Sequence, residues 1–561
     1  MKNKNFSPEK KDRVKIIRGT AEGIILFVIL LVIIKAVFTF SVYKPYTSDD
    51  VSIDGKSGFI AISYFGVDRT GDDTLISTMS LDKQIKALKD NGYVTITQKD
   101  ILDYYAKGKI LPKKSLFLLF EDGRSDTAIF SQKFLEEYNY KATILTYADK
   151  FAKEDPKFLM PKDLLQLKDN SYWELGTNGY RLEYINVFDK FSKFLGELTS
   201  TQFSNLASKI DRQYNHYLMD YIRDEYGIPM ETYEEMKARI NSDYERLSTI
   251  YNEKFGYIPS LYALMHSNTG RFGTNDKASE VNSKWVKQLF SINFNREGNS
   301  LNLSDSSIYD LTRIQPQAYW STNHLLMRIW DDTKGNINFV VGDGEKAGKF
   351  KGVKGQAEFI DDNIILTSLP KEKGLIKLLN SEGYKDIKIS TTLNGNAIGS
   401  QSIYLRSNED GSNSICVQLI NNIVNVIENL NGKKNIIYSL ELSKENKDKK
   451  VDIKESGSKK VDITLIDKKL TLAIDEKKIV EGLEVSNQNE GSVFLESAWG
   501  EYGYSQRNIA DDVYDGVFKS FKVTDINNEV LYDSSLKGVK AVSYKIKSSY
   551  NKLVNWFIKN L

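Results

Sequence analysis

The sequence predicts a multidomain protein with a membrane-spanning N-terminal helix, an α/β domain carrying a helical insertion, and a C-terminal all-β sandwich of the jelly-roll kind. Three observations predict it. One stretch, Gly23 to Tyr43, is apolar over 21 residues. From Phe59 to about Ile329 short apolar runs alternate with segments of helical period, the rhythm of an α/β fold. After about Asn336 the pattern becomes short strands of period two separated by turns, without helices between them.

Composition bounds the function. The 561 residues suffice for three or four domains. Hydrophobic residues are 41% and charged residues 27%, which fits globular folding and excludes collagen-like or wholly disordered classes. Lys and Arg number 77 against 75 Asp and Glu, so the chain lacks the basic excess of a nucleic-acid binder. A single cysteine, Cys416, excludes an intramolecular disulfide. With only His216, His266 and His324 beside it, a His/Cys metal cluster is a poor fit, and any metal site leans on carboxylates.

The elements follow in order. Residues 1–22 form a basic tail with Lys2, Lys4, Lys10, Lys11, Arg13, Lys15 and Arg18 against Glu9 and Asp12. The span at 23–43 is long enough at about 1.5 Å per residue to cross a hydrocarbon core. Its one charge, Lys35, can snorkel. The basic flank places the N-terminus in the cytoplasm and the body outside, and no A-x-A-like site follows, so the span reads as an uncleaved signal anchor of a single-pass cell-membrane protein.

The α/β domain is expected over 58–330. It opens with a strand at Phe59 to Phe65 and a helix marked by Leu81, Ile85 and Leu88, stopped by Asn91-Gly92. A strand at Val94 to Thr97, a helix across Ile101 to Tyr105 and the buried strand Ser115 to Phe120 come next, the last ending in Glu121-Asp122-Gly123. A helix through Phe130, Phe134 and Leu135 and a strand from Ala142 to Tyr147 repeat the unit. Residues 183–250 read as a charged helical insertion with an apolar stripe of Tyr214, Tyr217, Leu218, Tyr221 and Ile222. The sandwich is expected over 337–535, with strands such as Ser402 to Ser407 and Ser492 to Ser497, and a solvated loop over Lys444 to Lys460. Residues 537–561 hold six lysines and no acid, and read as a basic amphipathic helix.

Adjacent carboxylates at the carboxyl end of an α/β strand can divide labour, one holding a metal while the other takes a proton from water. Glu121 and Asp122 stand at such a position. From FIAISYF through KSLFLLFEDGRSD to YNYKATILTY the sequence resembles the polysaccharide deacetylases, the family named for the chitooligosaccharide deacetylase homology domain. The resemblance covers about residues 58 to 330 and implies a distorted β/α barrel. In that family the strand ends in Thr-Phe-Asp-Asp-Gly, the first Asp a base and the second a metal ligand; Glu121 and Asp122 take those places here. The second family motif, His-Ser/Thr-x-x-His after Trp-Glu-x-Gly-Ser, is matched in its lead-in by Trp173 to Thr177, but Asn178 and Leu182 replace the two histidines. Tyr64-Phe65 likewise replaces a Tyr-His pair.

The resemblance therefore implies a site without firmly bound zinc, with Asp122 left as one weak metal ligand. Three readings stand: a pseudoenzyme cleft that still binds sugar, a re-invented acid/base site of Glu121, Asp122 and Asp126, or a retained scaffold. Trp173, Asn178, Tyr180 and His266 are the candidates for substrate binding. The C-terminal half, in GQAEFIDDNIILTS, VDITLIDKKLTLAIDEKKI and GSVFLESAWG, resembles laminin-G-like and concanavalin-like sandwiches, which implies glycan binding. Such domains use calcium, for which Asp511, Asp512 and Asp515 are candidate oxygen ligands. The expected function is an anchored extracytoplasmic protein that acts on or binds an exopolysaccharide or cell-wall glycan. The alternative is a non-catalytic assembly factor of a polysaccharide synthesis or secretion complex.

Overall fold

The computed structural model describes residues 12–13, 15–24, 26–27, 41–47, 58–538 with gaps, 541–546, 548–550 and 553. The gaps are 73, 153–154, 190, 207–208, 211–213, 265–274, 397–398, 421, 443–455 and 501–510.

The first unit is a nine-stranded sheet made of β1 (Phe59–Tyr64), β2 (Val94–Thr95), β3 (Ser115–Phe120), β4 (Ala142–Tyr147), β5 (Trp173–Gly179), β6 (Leu261–Ala263), β7 (Ile292–Glu297), β8 (Leu301–Asn302) and β9 (Leu311–Arg313). Its order is β8-β1-β3-β4-β5-β6-β7-β9, with β2 on β3. All pairs are parallel except β8 against β1. Ile314, just past β9, bridges back to Ile62 of β1, so the sheet nearly closes on itself.

Burial explains the sequence of these strands. Every residue of β3 is buried, because a parallel strand in a barrel faces side chains inside and helices outside. Phe117 and Leu119 join Phe59, Ala61, Leu261 and Phe294 in the interior. Leu116, Leu118 and Phe120 pack outward in the core that the helices cover. Those helices include α1 (Thr78–Asp90), α2 (Gln98–Lys107), α3 (Ser125–Tyr138), α4 (Pro161–Asp169), α5 (Tyr233–Phe255), α6 (Asp276–Leu289) and α7 (Thr322–Thr333). Leu81, Ile85 and Leu88 are the buried stripe of α1.

The helical insertion expected over 183–250 is corrected. Its first part is a three-stranded antiparallel sheet, Glu183–Phe188 between Phe194–Thr199 and Asn215–His216, and only α5 is a long helix. The residues read as a helical stripe flank the short strand Asn215–His216, Tyr214 just before it and Tyr217, Leu218, Tyr221 and Ile222 in the turn and irregular chain after it. Tyr214 packs with Tyr184, Val187, Leu198 and Ile210 in a separate small core, which period-two pairing builds and a helix face cannot.

The second unit is two packed antiparallel sheets. One runs Phe350–Lys354, Lys373–Leu378, Ser492–Ala498, Ser400–Ser407, Ser414–Ile420, Ile423–Leu430, Lys433–Glu441. The other runs Gln356–Ile360, Asn363–Thr367, Asp515–Asp525, Ile387–Asn396, Ser456–Ile466, Lys469–Ile474, Lys477–Glu484, with Val530–Asp533 on Asp515–Asp525. Ile389, Leu405, Val426, Leu472, Leu495 and Phe518 fill the space between them. Most of the expected solvated loop falls in 443–455, outside the described residues.

The membrane anchor expected at 23–43 is corrected as well. Among the described residues no helix is long and apolar enough to cross a membrane. The described helical residues 15–24 carry Lys15, Arg18 and Glu22, with an Arg18–Glu22 ion pair. Residues 28–40 lie outside the described residues. The single-pass cell-membrane location and its sidedness, which rested on that span, fall with it. In the tail, helical residues 541–546, 548–550 and 553 are described, with Val542, Ile546 and Leu553 exposed.

Candidate functional site

The turn after β3 places the two acidic residues differently. Asp122 and Gly123 both have positive φ, 65° and 62°, so the chain reverses at once and starts α3. A Cβ on Gly123 would stand 2.5 Å from Thr146 Cγ2, which leaves glycine as the residue that fits.

Glu121 points into the barrel and is wholly buried. Its Oε1 accepts from Ser63 Oγ at 2.5 Å, Arg313 Nε at 2.9 Å and Gln315 Nε2 at 2.9 Å. Its Oε2 receives a long contact of 3.4 Å from Asn178 Nδ2. Arg313 is equally buried, so the two form an enclosed ion pair. A carboxylate held by that many donors is spent on structure, and the general-base role expected for Glu121 has no geometric support.

Asp122 is the opposite case. Its backbone N–H donates to Asn178 Oδ1 at 3.2 Å, while its own Oδ1 is buried with no hydrogen-bond partner among the described residues. Burial, with the neighbouring Glu121 charge adding to it, pushes its carboxyl up to about 7, against the pull of Arg124 and Lys150. Near neutral pH such a group both donates and accepts. Asp126 lies in the first turn of α3 and takes Arg124 on both oxygens, at 3.0 and 2.5 Å, besides the Thr127 N–H at 2.8 Å. It is a helix-start carboxylate engaged by its neighbours.

Asn178 is buried at the end of β5 and spans the mouth, donating to Ala263 O at 2.8 Å as well as facing Glu121. Trp173 is not a sugar platform: it is 2% exposed, donates Nε1 to Gln132 Oε1 at 2.6 Å and packs on Phe120. Tyr180 is half-buried at the rim, between the guanidiniums of Arg181 and Arg246. His266 lies outside the described residues. Leu182 sits against the small core of the inserted sheet.

Beside the mouth the insertion adds charges that the motif did not reveal. Arg181 bonds Glu183 at 2.8 Å and Asp243 at 3.2 Å, and burial raises the Asp243 carboxyl to about 6. The described residues do not make a zinc donor set: the Asn178 amide is committed to Glu121, Asp122 and Ala263, and among the described residues no three His, Cys, Asp or Glu side chains converge. The calcium candidates are engaged by protein donors: Asp511 accepts from His324 Nε2, Tyr319 Oη and Trp320 Nε1, and Asp515 faces His324 Nδ1 and accepts from the Ser321 N–H and Thr367 Oγ1. Asp512 lies 3.7 Å from Lys371.

Sequence reasoning found Glu121, Asp122 and Asn178 but not Ser63, Arg313 and Gln315, which arrive from β1, β9 and the chain just after β9. A lone Arg inside the apolar run Leu311 to Ile314 was the one available signal.

No protein-family model and no curated protein matches the chain. Among solved structures it is similar to a deacetylase from Streptococcus pyogenes in complex with acetate, at 11% identity and TM-score 0.34, over 49% of this chain and 99% of that one. A polysaccharide deacetylase from Bacillus cereus gives 14% and 0.31 over 49% and 69%. A carbohydrate-binding module from Bacillus subtilis gives 14% and 0.24 over 31% and 94%.

Proposed function

We propose that the protein holds an exopolysaccharide or cell-wall glycan at the mouth of its α/β barrel, in a deacetylase-like site that works without zinc. One observation carries the reading: Asp122 keeps a buried oxygen without a hydrogen-bond partner among the described residues, while Glu121, its neighbour, is locked to Arg313. A carboxyl poised near neutral pH hydrogen-bonds either a sugar hydroxyl or an acetamido group. The resemblance of the strand-end motif to deacetylases supports a glycan as the ligand, and so do the similar solved structures' own descriptions.

The test uses the full chain with polymers of N-acetylated hexosamine, reading binding by calorimetry, metal content by mass spectrometry and acetate release. Binding without stoichiometric zinc or acetate is expected. Asp122→Asn should weaken that binding roughly tenfold, the loss of one hydrogen bond to a charged group. Stoichiometric zinc with acetate release overturns the reading.

A second reading, a non-catalytic assembly factor of a polysaccharide synthesis or secretion complex, is favoured by one surface feature. Tyr226, Ile228 and Met230 are 80%, 61% and 70% exposed on a turn that Asp224 Oδ1 fixes by accepting the Tyr226 and Ile228 N–H groups. A rigid apolar tip of this kind suits a protein partner. Failure of all glycans to bind, with loss of a co-purifying partner in Tyr226→Ser/Met230→Ser, selects it.

A further inference from the structure

On the helix-covered face of the sheet, away from Glu121, the helices α5 and α6 stand off from β6 and β7 and leave a cavity of about 150 Å³. By that measure it has room for roughly ten waters or one ring-sized polar molecule.

Its walls are fixed. Tyr262 of β6 stacks on Phe290 at 4.6 Å, and Tyr244 of α5 stacks on Trp285 at 5.7 Å. Tyr244 donates to Asn282 Oδ1 at 2.9 Å, and the Asn282 amide in turn donates to Leu218 O and Ala278 O. Tyr262 Oη is buried without a hydrogen-bond partner among the described residues; Tyr244 and Asn282 need nothing further from a ligand.

Asn293 of β7 does. It is 5% exposed, donates Nδ2 to Tyr309 O at 2.9 Å, and its Oδ1 is buried without a hydrogen-bond partner among the described residues. Leaving a buried acceptor bare is a standing cost, which a ligand hydroxyl or amide N–H removes. Among the described residues the lining contains no Asp or Glu, so it does not suit a cation, and the one charge among them, Lys287, is exposed. Aromatic side chains, serine hydroxyls at Ser279 and Ser283, and two buried atoms, Asn293 Oδ1 and Tyr262 Oη, without a partner among the described residues describe a neutral ligand with hydroxyls on its edge and C–H groups on its face.

We propose that this cavity binds one neutral sugar residue, with a hydroxyl or amide N–H of the sugar donating to Asn293 Oδ1. The site draws on none of the residues at the barrel mouth and stands independently of the reading given there.

The experiment uses the full chain with N-acetylglucosamine, methyl β-glucoside and, as a charged control, sodium acetate, followed by saturation-transfer NMR and titration. At least one neutral sugar is expected to bind and acetate not. Ser283→Phe, on the exposed side of α6, fills the cavity and should weaken binding at least tenfold; Asn293→Leu should do the same. Ile436→Ser, on the exposed face of the sandwich, should leave it unchanged. No sugar binding to the parent, or equal binding to parent and Ser283→Phe, means that the cavity holds water alone and overturns the proposal. Loss of binding in Asp122→Asn with retention in Ser283→Phe overturns it too, by assigning the sugar to the barrel mouth.

Discussion

Two adjacent carboxylates at one strand end have been given opposite tasks, and each task predicts its own mutant. Glu121 pays its desolvation cost through Arg313. Arg313→Met therefore leaves a buried charge without its cation, at a cost of roughly 3–5 kcal/mol, whereas Arg313→Met/Glu121→Gln recovers much of it. Urea midpoints of the two variants check this; equal loss in both rejects the ion pair as the main term. Asp122 has the reverse sign. Its carboxyl sits at about 7 in the folded chain against 3.8 for the free group. Stability is thus full below about pH 4 as far as this residue is concerned, and is lost as pH rises through 7. Asp122→Asn should stabilise the protein above pH 7, by up to about 4 kcal/mol, and change nothing at pH 4. Thermal melts at the two pH values decide it. The carboxylates themselves were legible in the sequence, since they follow an apolar strand and match a known motif. Their roles were not, because Arg313 lies 192 residues beyond Glu121 and only barrel closure brings them together.

At the level of elements, the strands of the barrel were the readable part. Ser115 to Phe120 and Ala142 to Tyr147 stand where continuous apolar runs put them, because both faces of a parallel strand are buried. The inserted sheet was not readable. Its strands alternate polar and apolar residues only over short lengths, and aromatic residues at helical spacing obscured the period of two; the closing contacts of Tyr184 with Tyr214 and Phe203 join separate segments. The turn that aims Asp122 offers a test at this scale. Gly123→Ala adds a Cβ at positive φ and against Thr146, so it should destabilise by about 2 kcal/mol. Gly123→Ala/Thr146→Ser removes the clashing methyl and should return only the steric share. Denaturant melts that show no loss for the single variant reject the tight turn as the device that positions the carboxyl.

Over the whole molecule, strand periodicity made the sandwich visible, and its joint with the barrel stayed hidden. Asp511 and Asp515 looked like cation ligands because the residues that use them, Tyr319 to His324, lie about 190 positions earlier on the other unit. His324 is buried on α7, stacked on Trp320 at 4.4 Å, with Asp511 at 2.8 Å from Nε2 and Asp515 at 3.0 Å from Nδ1. Burial lowers its pKa, but the two carboxylates outweigh burial and raise it to about 9, so the ring is a cation at neutral pH and donates from both nitrogens. The sign of the linkage follows. The contribution is fully present below about 6.5, the unfolded value, and disappears as pH rises through 9; at its largest it is about 3 kcal/mol. Asp511, held below the usual carboxylate range despite its burial, sets the acid side, where its contribution is lost as pH falls through its lowered value. Calorimetry should therefore show barrel and sandwich melting together at pH 7 and separating into two transitions near pH 10. His324→Gln keeps a hydrogen-bonding side chain without the titrating charge, and should show separated transitions at both pH values. Two transitions in the parent at pH 7, or joined melting of His324→Gln, would show that the imidazolium does not hold the two units together.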